Sequence, residues 1–252
     1  METLLSTAAG THPAGPSRPA RSDGFRNNRD HRRGAFRSVV SIDHGTLVPF
    51  LRAAEKEYRC CTPERPPGCF AVLVGHTVNG VSHVSRVEFG KNVRASSPVA
   101  VDEFADTIVP CFGAAYANER RGFWCDSRDL LRITRGAEAD GLDVLGSVHL
   151  HPDWHRIGPP RERALRISQR PTRMDGYLFD NTRWPVNLIC YFEGRDDDAI
   201  VPTLAAWQPR GDGSEPLPIP LFLRGEGGEL VVGDTVRLPP REGLFTRVRE
   251  GV

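Results

Sequence analysis

The chain has 252 residues, 39% of them hydrophobic, which is enough for one domain with its own core plus extensions. Its 33 Lys+Arg against 32 Asp+Glu give a formal charge of +1, so no global field argues for nucleic acid or a membrane surface as partner. No run reaches the length of a membrane span, Met1-Glu2-Thr3-Leu4-Leu5 lacks the basic start and apolar core of a signal peptide, and the expected location is cytoplasmic.

Residues 1–37 carry Arg18, Arg21, Arg26, Arg29, Arg32, Arg33 and Arg37 among Gly, Pro and Ser, with almost no large apolar side chains. Such a segment cannot offset its ordering entropy and is expected to be a disordered tail. The domain is expected over 38–208, opening with a helix near Ile42 to Tyr58, where Leu47, Phe50, Leu51 and Ala54 recur at helical spacing. A hairpin over 69–89 follows, with Asn79-Gly80 as its turn. That turn makes Val78 face Val81 and pairs Ala71 with Glu88.

Val101 to Tyr116 reads as helical, and Arg120 to Asp126 as core packing or a substrate wall. Arg128 to Glu138 reads as a helix, leading into the apolar run Gly141 to Val148. Past Trp207, Gln208 to Ser214 is a linker by composition, and 209–252 is expected to be a linker and small β extension built from pieces such as Leu221-Phe222-Leu223 and Leu230-Val231-Val232. The six cysteines form no C-x-x-C pair and fit free thiols in a reduced compartment.

His149-Leu150-His151-Pro152 ends the apolar run 141–148 and carries the chemistry. Side chains alternate along a strand, so His149 and His151 point the same way. Two imidazoles so placed can hold two corners of a tetrahedral zinc site, with a carboxylate as third ligand and the fourth corner open. Downstream stands Pro171-Thr172-Arg173-Met174-Asp175, followed by the apolar strand Trp184 to Phe192.

Over roughly residues 40 to 208 this order resembles the JAMM (MPN+, prokaryotic JAB) zinc metallopeptidases, which carry an upstream Glu, then H-[ST]-H-P, then P-[ST]-x-x-D. The resemblance implies an α/β fold, an MPN/JAB-like mixed sheet flanked by helices and layered as in cytidine deaminases. It implies Zn²⁺ held by His149, His151 and Asp175, with Thr172 donating a hydrogen bond to the oxyanion during hydrolysis of a peptide or isopeptide bond. The partners implied are a ubiquitin-like or sulfur-carrier protein as substrate and the adenylating enzyme that activates it.

The chain departs from the pattern in three places. Leu150 replaces the Ser or Thr between the histidines. Residues 152–171 are longer than the family's loop; a stricter spacing would put Glu162, rather than Asp175, at the carboxylate and Pro159 at the hydroxyl. The Arg-rich half of this insertion, Arg161 to Arg170, is expected to be helical and to act as a lid or clamp beside the cleft. Gly68 occupies the position of the catalytic Glu, so the base is expected at Glu64, in the Pro-flanked loop before the strand, or at Glu88 if the hairpin register slips. The alternative is an MPN scaffold that binds a ubiquitin-like protein or its adenylating enzyme and cleaves nothing. The same stretch also comes near two other metal folds: Asp153 and His155 extend it toward a metallo-β-lactamase-like second zinc site, and H-x-H also occurs in cupins, yet no His follows His155.

Overall fold

The computed structural model describes residues 38–158, 160–163, 170–195, 199–239 and 244–245; the Arg-rich segment 1–37, and residues 164–169 of the insertion expected to form a lid, lie outside them. The elements in chain order are β1 (Val39–Asp43), α1 (His44–Arg59), β2 (Phe70–Val78), β3 (Val81–Glu88), four short helical turns between Pro98 and Ala117, α2 (Ser127–Ala139) and β4 (Asp143–Pro152). Two more turns, Trp154–Ile157 and Pro160–Arg163, precede α3 (Arg173–Thr182), β5 (Val186–Gly194) and β6 (Ile200–Gln208). The chain continues through β7 (Leu217–Ile219), β8 (Leu221–Arg224), β9 (Leu230–Gly233) and β10 (Thr235–Arg237).

All ten strands join one mixed sheet in the order β10-β6-β5-β4-β2-β3-β1-β8-β9, with β7 on β6. The fold is therefore mixed α/β. β10 also lies against β8 and β9, so the sheet curls until its two ends approach. The strands of the C-terminal region are part of this sheet, because β8 pairs in parallel with β1 while β7 and β10 pair with β6.

The helix expected from Ile42 begins at His44. Val39 to Asp43 form a strand instead: Val40 and Ile42 are buried, and β1 runs parallel to both β3 and β8. Tertiary pairing of a β-branched stretch has overridden its continuation of the helical pattern. The Asn79-Gly80 turn forms as expected, with φ of 51° and 80° and Val78 opposite Val81. The expected pairing of Ala71 with Glu88 does not form. A register shift between Val74 and Gly75 pairs Glu88 with Val72, and one extra residue in an antiparallel pair moves every later side chain to the other face.

Alternation sorts the central strands between two layers. Ala71, Leu73, Val148, Leu150, Leu188 and Cys190 point to the face covered by Leu47, Phe50 and Leu51 of α1. On the other face Val72 and Val74 meet Ile133 and Ala137 of α2, and Ile189 and Tyr191 meet Phe179 of α3. Each such side chain contributes about 1.5–3 kcal/mol by leaving water. β4 lies between antiparallel β2 and parallel β5, and α3 is part of the crossover that makes the β4–β5 pair possible. No helix among the described residues is long and apolar enough to cross a membrane.

The β4–β5 pair is close enough at its start that a Cβ on Gly146 would stand 1.5 Å from the Val186 carbonyl oxygen. Gly146→Ala is expected to lower the unfolding free energy by about 3 kcal/mol or more, read from chemical denaturation. A loss below about 1 kcal/mol would place these two strands in a different register.

Candidate metal centre

The site forms where β4 ends beside the N-terminus of α3. Because Val148 and Leu150 are committed to the α1 face, His149 and His151 project together from the opposite one. Cross-strand neighbours fix their places: Phe70 on β2 and Ile189 on β5 flank His149, and Tyr191 on β5 flanks His151. Phe123 and Phe179 lie 5.2 and 6.1 Å from the His149 ring, and Tyr191 meets His151 edge-on at 5.5 Å.

The third group comes from a helix cap. Thr172 is the N-cap of α3 and forms a reciprocal capping box with Asp175 three residues on. Asp175 Oδ2 accepts from the Thr172 backbone N at 2.6 Å and from Thr172 Oγ1 at 2.7 Å, while the Asp175 backbone N donates to Thr172 Oγ1 at 3.1 Å. The cap thus orients a carboxylate whose other contacts are the histidines.

The three donors converge. His149 Nε2 and His151 Nε2 are 3.0 Å apart, and they stand 3.3 and 3.2 Å from Asp175 Oδ1 and Oδ2 respectively. Donors about 2.0–2.1 Å from one zinc at tetrahedral angles lie about 3.3 Å from each other, which is near the Nε2–Nε2 separation and near the distance from each imidazole to its own oxygen of the shared carboxylate. His149, His151 and Asp175 are all buried, at 4%, 6% and 3% exposure, and among the described residues they are the one His/Cys/Asp/Glu group with metal-binding spacing.

The electrostatics fit a divalent cation. Burial pushes the His149 imidazolium below its ordinary range, with partial opposition from Asp175, so this ring is neutral at neutral pH. Burial alone would raise Asp175, but the charge and hydrogen bonds of His151 and His149 hold its carboxyl well below the usual carboxylate range. Both Nδ1 atoms are buried with no hydrogen-bond partner. Two facing Nε2 atoms can share only one proton, and a buried unpartnered polar group costs about 1–3 kcal/mol. A cation that takes both Nε2 lone pairs resolves the repulsion between them.

The triad opens onto a small cleft of about 40 Å³, whose walls include Gly68, Tyr116, Arg121, Phe123, Trp154 and Thr172. Glu64 is exposed and is not one of the lining residues; its backbone oxygen accepts from Asn118 Nδ2 at 3.1 Å. The bulge brings Glu88 to the Val72 face, but its carboxylate pairs with Arg86 at 3.0 Å and it also stays outside the cleft lining. Glu162 stands on the turn Pro160–Arg163, and its side chain lies outside the described residues. Asp153 is fully buried but faces away from the triad, accepting from Tyr58 Oη at 2.9 Å and the Gly194 backbone N at 3.1 Å, while His155 is exposed. These two do not assemble a second metal site.

Three residues near the site were invisible to sequence spacing. Glu57, in the last turn of α1, is exposed and outside the cleft lining, but its Oε2 accepts from the backbone N of the wall residue Gly68 at 2.8 Å. Tyr116 and Arg121 reach the cleft from a region with no motif, in which the stretch Arg120 to Asp126 reads as core packing or a substrate wall. The space a side chain at 68 would need is taken by Asn92, whose Nδ2 would be 2.9 Å from an added Cβ and donates to the Gly68 and Gly122 carbonyls. No family model matches the chain, and no curated protein matches it either.

Zinc titration of the metal-stripped chain is expected to saturate at about one equivalent, with Asp175→Ala losing most of the affinity. Thr172→Ala, which keeps all three ligands but removes the cap, is expected to weaken zinc by about 10- to 100-fold. Retention of wild-type affinity in Asp175→Ala would move the third ligand elsewhere.

Proposed function

We propose that the chain is a zinc-dependent metallopeptidase or isopeptidase of the JAMM type, with an MPN/JAB-like domain around the triad. The observation that carries this reading is the convergence of His149, His151 and Asp175 at zinc-like spacing with one side open to a cleft. The layering supports it, with α1 on one face of the sheet and α2 and α3 on the other. Bound there, zinc supplies Lewis-acid polarisation of a carbonyl and lowers the pKa of water to about 7.

The chain's own residues supply the rest. His149, His151 and Asp175 hold the metal, and Thr172 anchors Asp175. The Thr172 hydroxyl gives its one proton to Asp175 Oδ2 at 2.7 Å; turned from that bond toward the cleft, it donates to the substrate carbonyl oxygen as negative charge develops there, with Tyr116 Oη 3.4 Å away and the Thr172 backbone N still holding Asp175. Two carboxylates compete for the role of proton acceptor. Neither lines the cleft: both side chains are exposed, Glu64 on its Pro-flanked loop and Glu57 on α1, where its carboxylate accepts from the Gly68 backbone N at 2.8 Å. Glu64 would require its loop to turn its exposed side chain inward. The substrate proposed is a ubiquitin-like or sulfur-carrier protein, presented with or without its adenylating enzyme. The scaffold reading has its own support in Gly68, whose side-chain space Asn92 fills.

A quenched fluorescent peptide library incubated with the zinc-loaded chain tests the reading. Cleavage is expected to stop on chelation, to return with zinc and to be lost in Asp175→Ala. Whichever of Glu57→Gln and Glu64→Gln removes the proton acceptor is expected to lower kcat by about 10²–10⁴-fold with zinc retained, and the other to change it little. Absence of cleavage by the zinc-loaded wild type would overturn the hydrolytic reading in favour of the scaffold.

A further inference from the structure

The last turn of α1 fastens two segments of the cleft wall with consecutive side chains. Glu57 Oε2 accepts from the backbone N of the wall residue Gly68 at 2.8 Å, and Tyr58 Oη donates to Asp153 Oδ1 at 2.9 Å. Asp153 immediately precedes Trp154, which lines the cleft and is 6% exposed. The Asp153 carboxylate is fully buried, and its second oxygen is engaged as well. Oδ2 accepts from the Gly194 backbone N at 3.1 Å and lies 3.3 Å from Arg156 Nη1, which also donates to the Gly194 carbonyl. The ends of α1, β4 and β5 therefore meet on one carboxylate. Their knot occupies the space beside Gly194, where an added Cβ would stand 2.8 Å from Tyr58 Oη and 2.6 Å from Arg156 Nη1. Tyr58 is itself held from the side, its ring meeting Phe192 edge-on at 5.6 Å.

We propose that Tyr58 is a positioning residue: through Asp153 it holds Trp154 in the cleft wall and so limits the size of the group admitted beside the triad. The proposal rests on the metal-site part of the reading above, not on hydrolysis. β4 ends at Pro152, so no strand partner fixes Trp154. Its place is set by the turn Trp154–Ile157, whose N-cap is Asp153 and whose first bond runs from the Arg156 backbone N to the Asp153 carbonyl at 2.8 Å. The side chain of that N-cap does not cap the turn; it ties the turn to α1 and β5 instead. A buried carboxylate relies on the donors the fold supplies, and hydrogen bonds to a charged group are among the strong ones. Withdrawing one donor leaves an oxygen underpaired where desolvation is costly, so the backbone that carries it shifts to recover a partner. In a cleft of about 40 Å³ a small displacement of one wall ring changes what fits. Tyr58 is not itself a lining residue, so its effect on size selectivity has to pass through the knot.

Two hydroxamates that ligate zinc through the same group separate the wall from the metal: acetohydroxamate, with a methyl substituent, and benzohydroxamate, with a phenyl one. Calorimetry on the zinc-loaded full-length chain is expected to show a preference for the methyl probe. Trp154→Ala should shift the affinity ratio toward the phenyl probe by about 10-fold or more. Tyr58→Phe, which deletes one hydroxyl and keeps its ring on Phe192, should shift it the same way by about 3- to 10-fold with zinc affinity unchanged. Lys56→Gln, at an exposed neighbour on α1, should leave the ratio as in wild type. The second readout needs no metal: fluorine NMR of the zinc-free chain labelled with 5-fluorotryptophan. The resonance lost in Trp154→Phe identifies Trp154, and Tyr58→Phe should displace that resonance while leaving the other tryptophans in place. A wild-type preference for the phenyl probe, an unchanged ratio in Tyr58→Phe, or an unmoved Trp154 resonance overturns the proposal. Failure of the wild type to bind zinc overturns the metal reading instead, and the fluorine signal then decides whether Tyr58 positions Trp154. Should Tyr58→Phe not fold, Arg156→Gln, which withdraws the exposed arm of the knot, decides by the same two readouts, and wild-type values in both overturn the proposal.

Discussion

The pleat of β4 is the constraint on which the site depends. Val148 and Leu150 are buried under α1, and that burial alone determines where the side chains between and after them go. A slip of one residue would turn both apolar side chains out of the core, forfeiting about 1.5–3 kcal/mol each, and would drive two imidazoles into it. Hydrophobic burial on one face thus specifies the aim of metal ligands on the other. The parallel partner β5 and antiparallel partner β2 hold the register from both sides, so neither histidine relies on a loop for its position.

The third donor is placed by a different kind of force. Asp175 belongs to the first turn of α3, where backbone N–H groups lack helical partners and the helix dipole favours negative charge. The capping box meets both needs and leaves the carboxylate directed at the histidines. A strand end and a helix start meet at the carboxyl end of a parallel pair, which is where open α/β sheets form their crevices. The walls that complete the cleft come from segments distant in sequence, Gly68 before β2 and the Tyr116–Phe123 stretch, and these give it its charge and width.

The legible parts of the sequence were those governed by local rules. Alternation marked His149 and His151 as a pair and Asn79-Gly80 marked the hairpin turn, while Thr172 and Asp175 stood out through the resemblance alone and their capping box came with the fold. The bulge between Val74 and Gly75 has no composition signal, so the pairing of Glu88 was misjudged by one residue and its face with it. Glu57 was read only as part of a helix, because nothing in its spacing says that Gly68 will pass within hydrogen-bond reach of its carboxylate. Arg121 fell within the stretch read as core packing or a substrate wall, but its ring partners were not legible: Tyr116 and Trp154 lie on either side of β4 in the sequence and meet only in the fold. The pairing of β8 with β1 joins residues from the two ends of the described chain, a contact that no window of local pattern spans.

Asp175 serves two users with one carboxylate. Its Oδ2 terminates the backbone of α3 through Thr172 and at the same time faces His151. Occupancy of the triad and order in the first turn of α3 therefore share a free energy, and such coupling is reciprocal. Whatever steadies or frays that helix, including changes on the Phe179 side that packs against β5, alters the grip of the triad without touching it. The helix is in this sense a remote control on the site, and selection for affinity can act along its whole length.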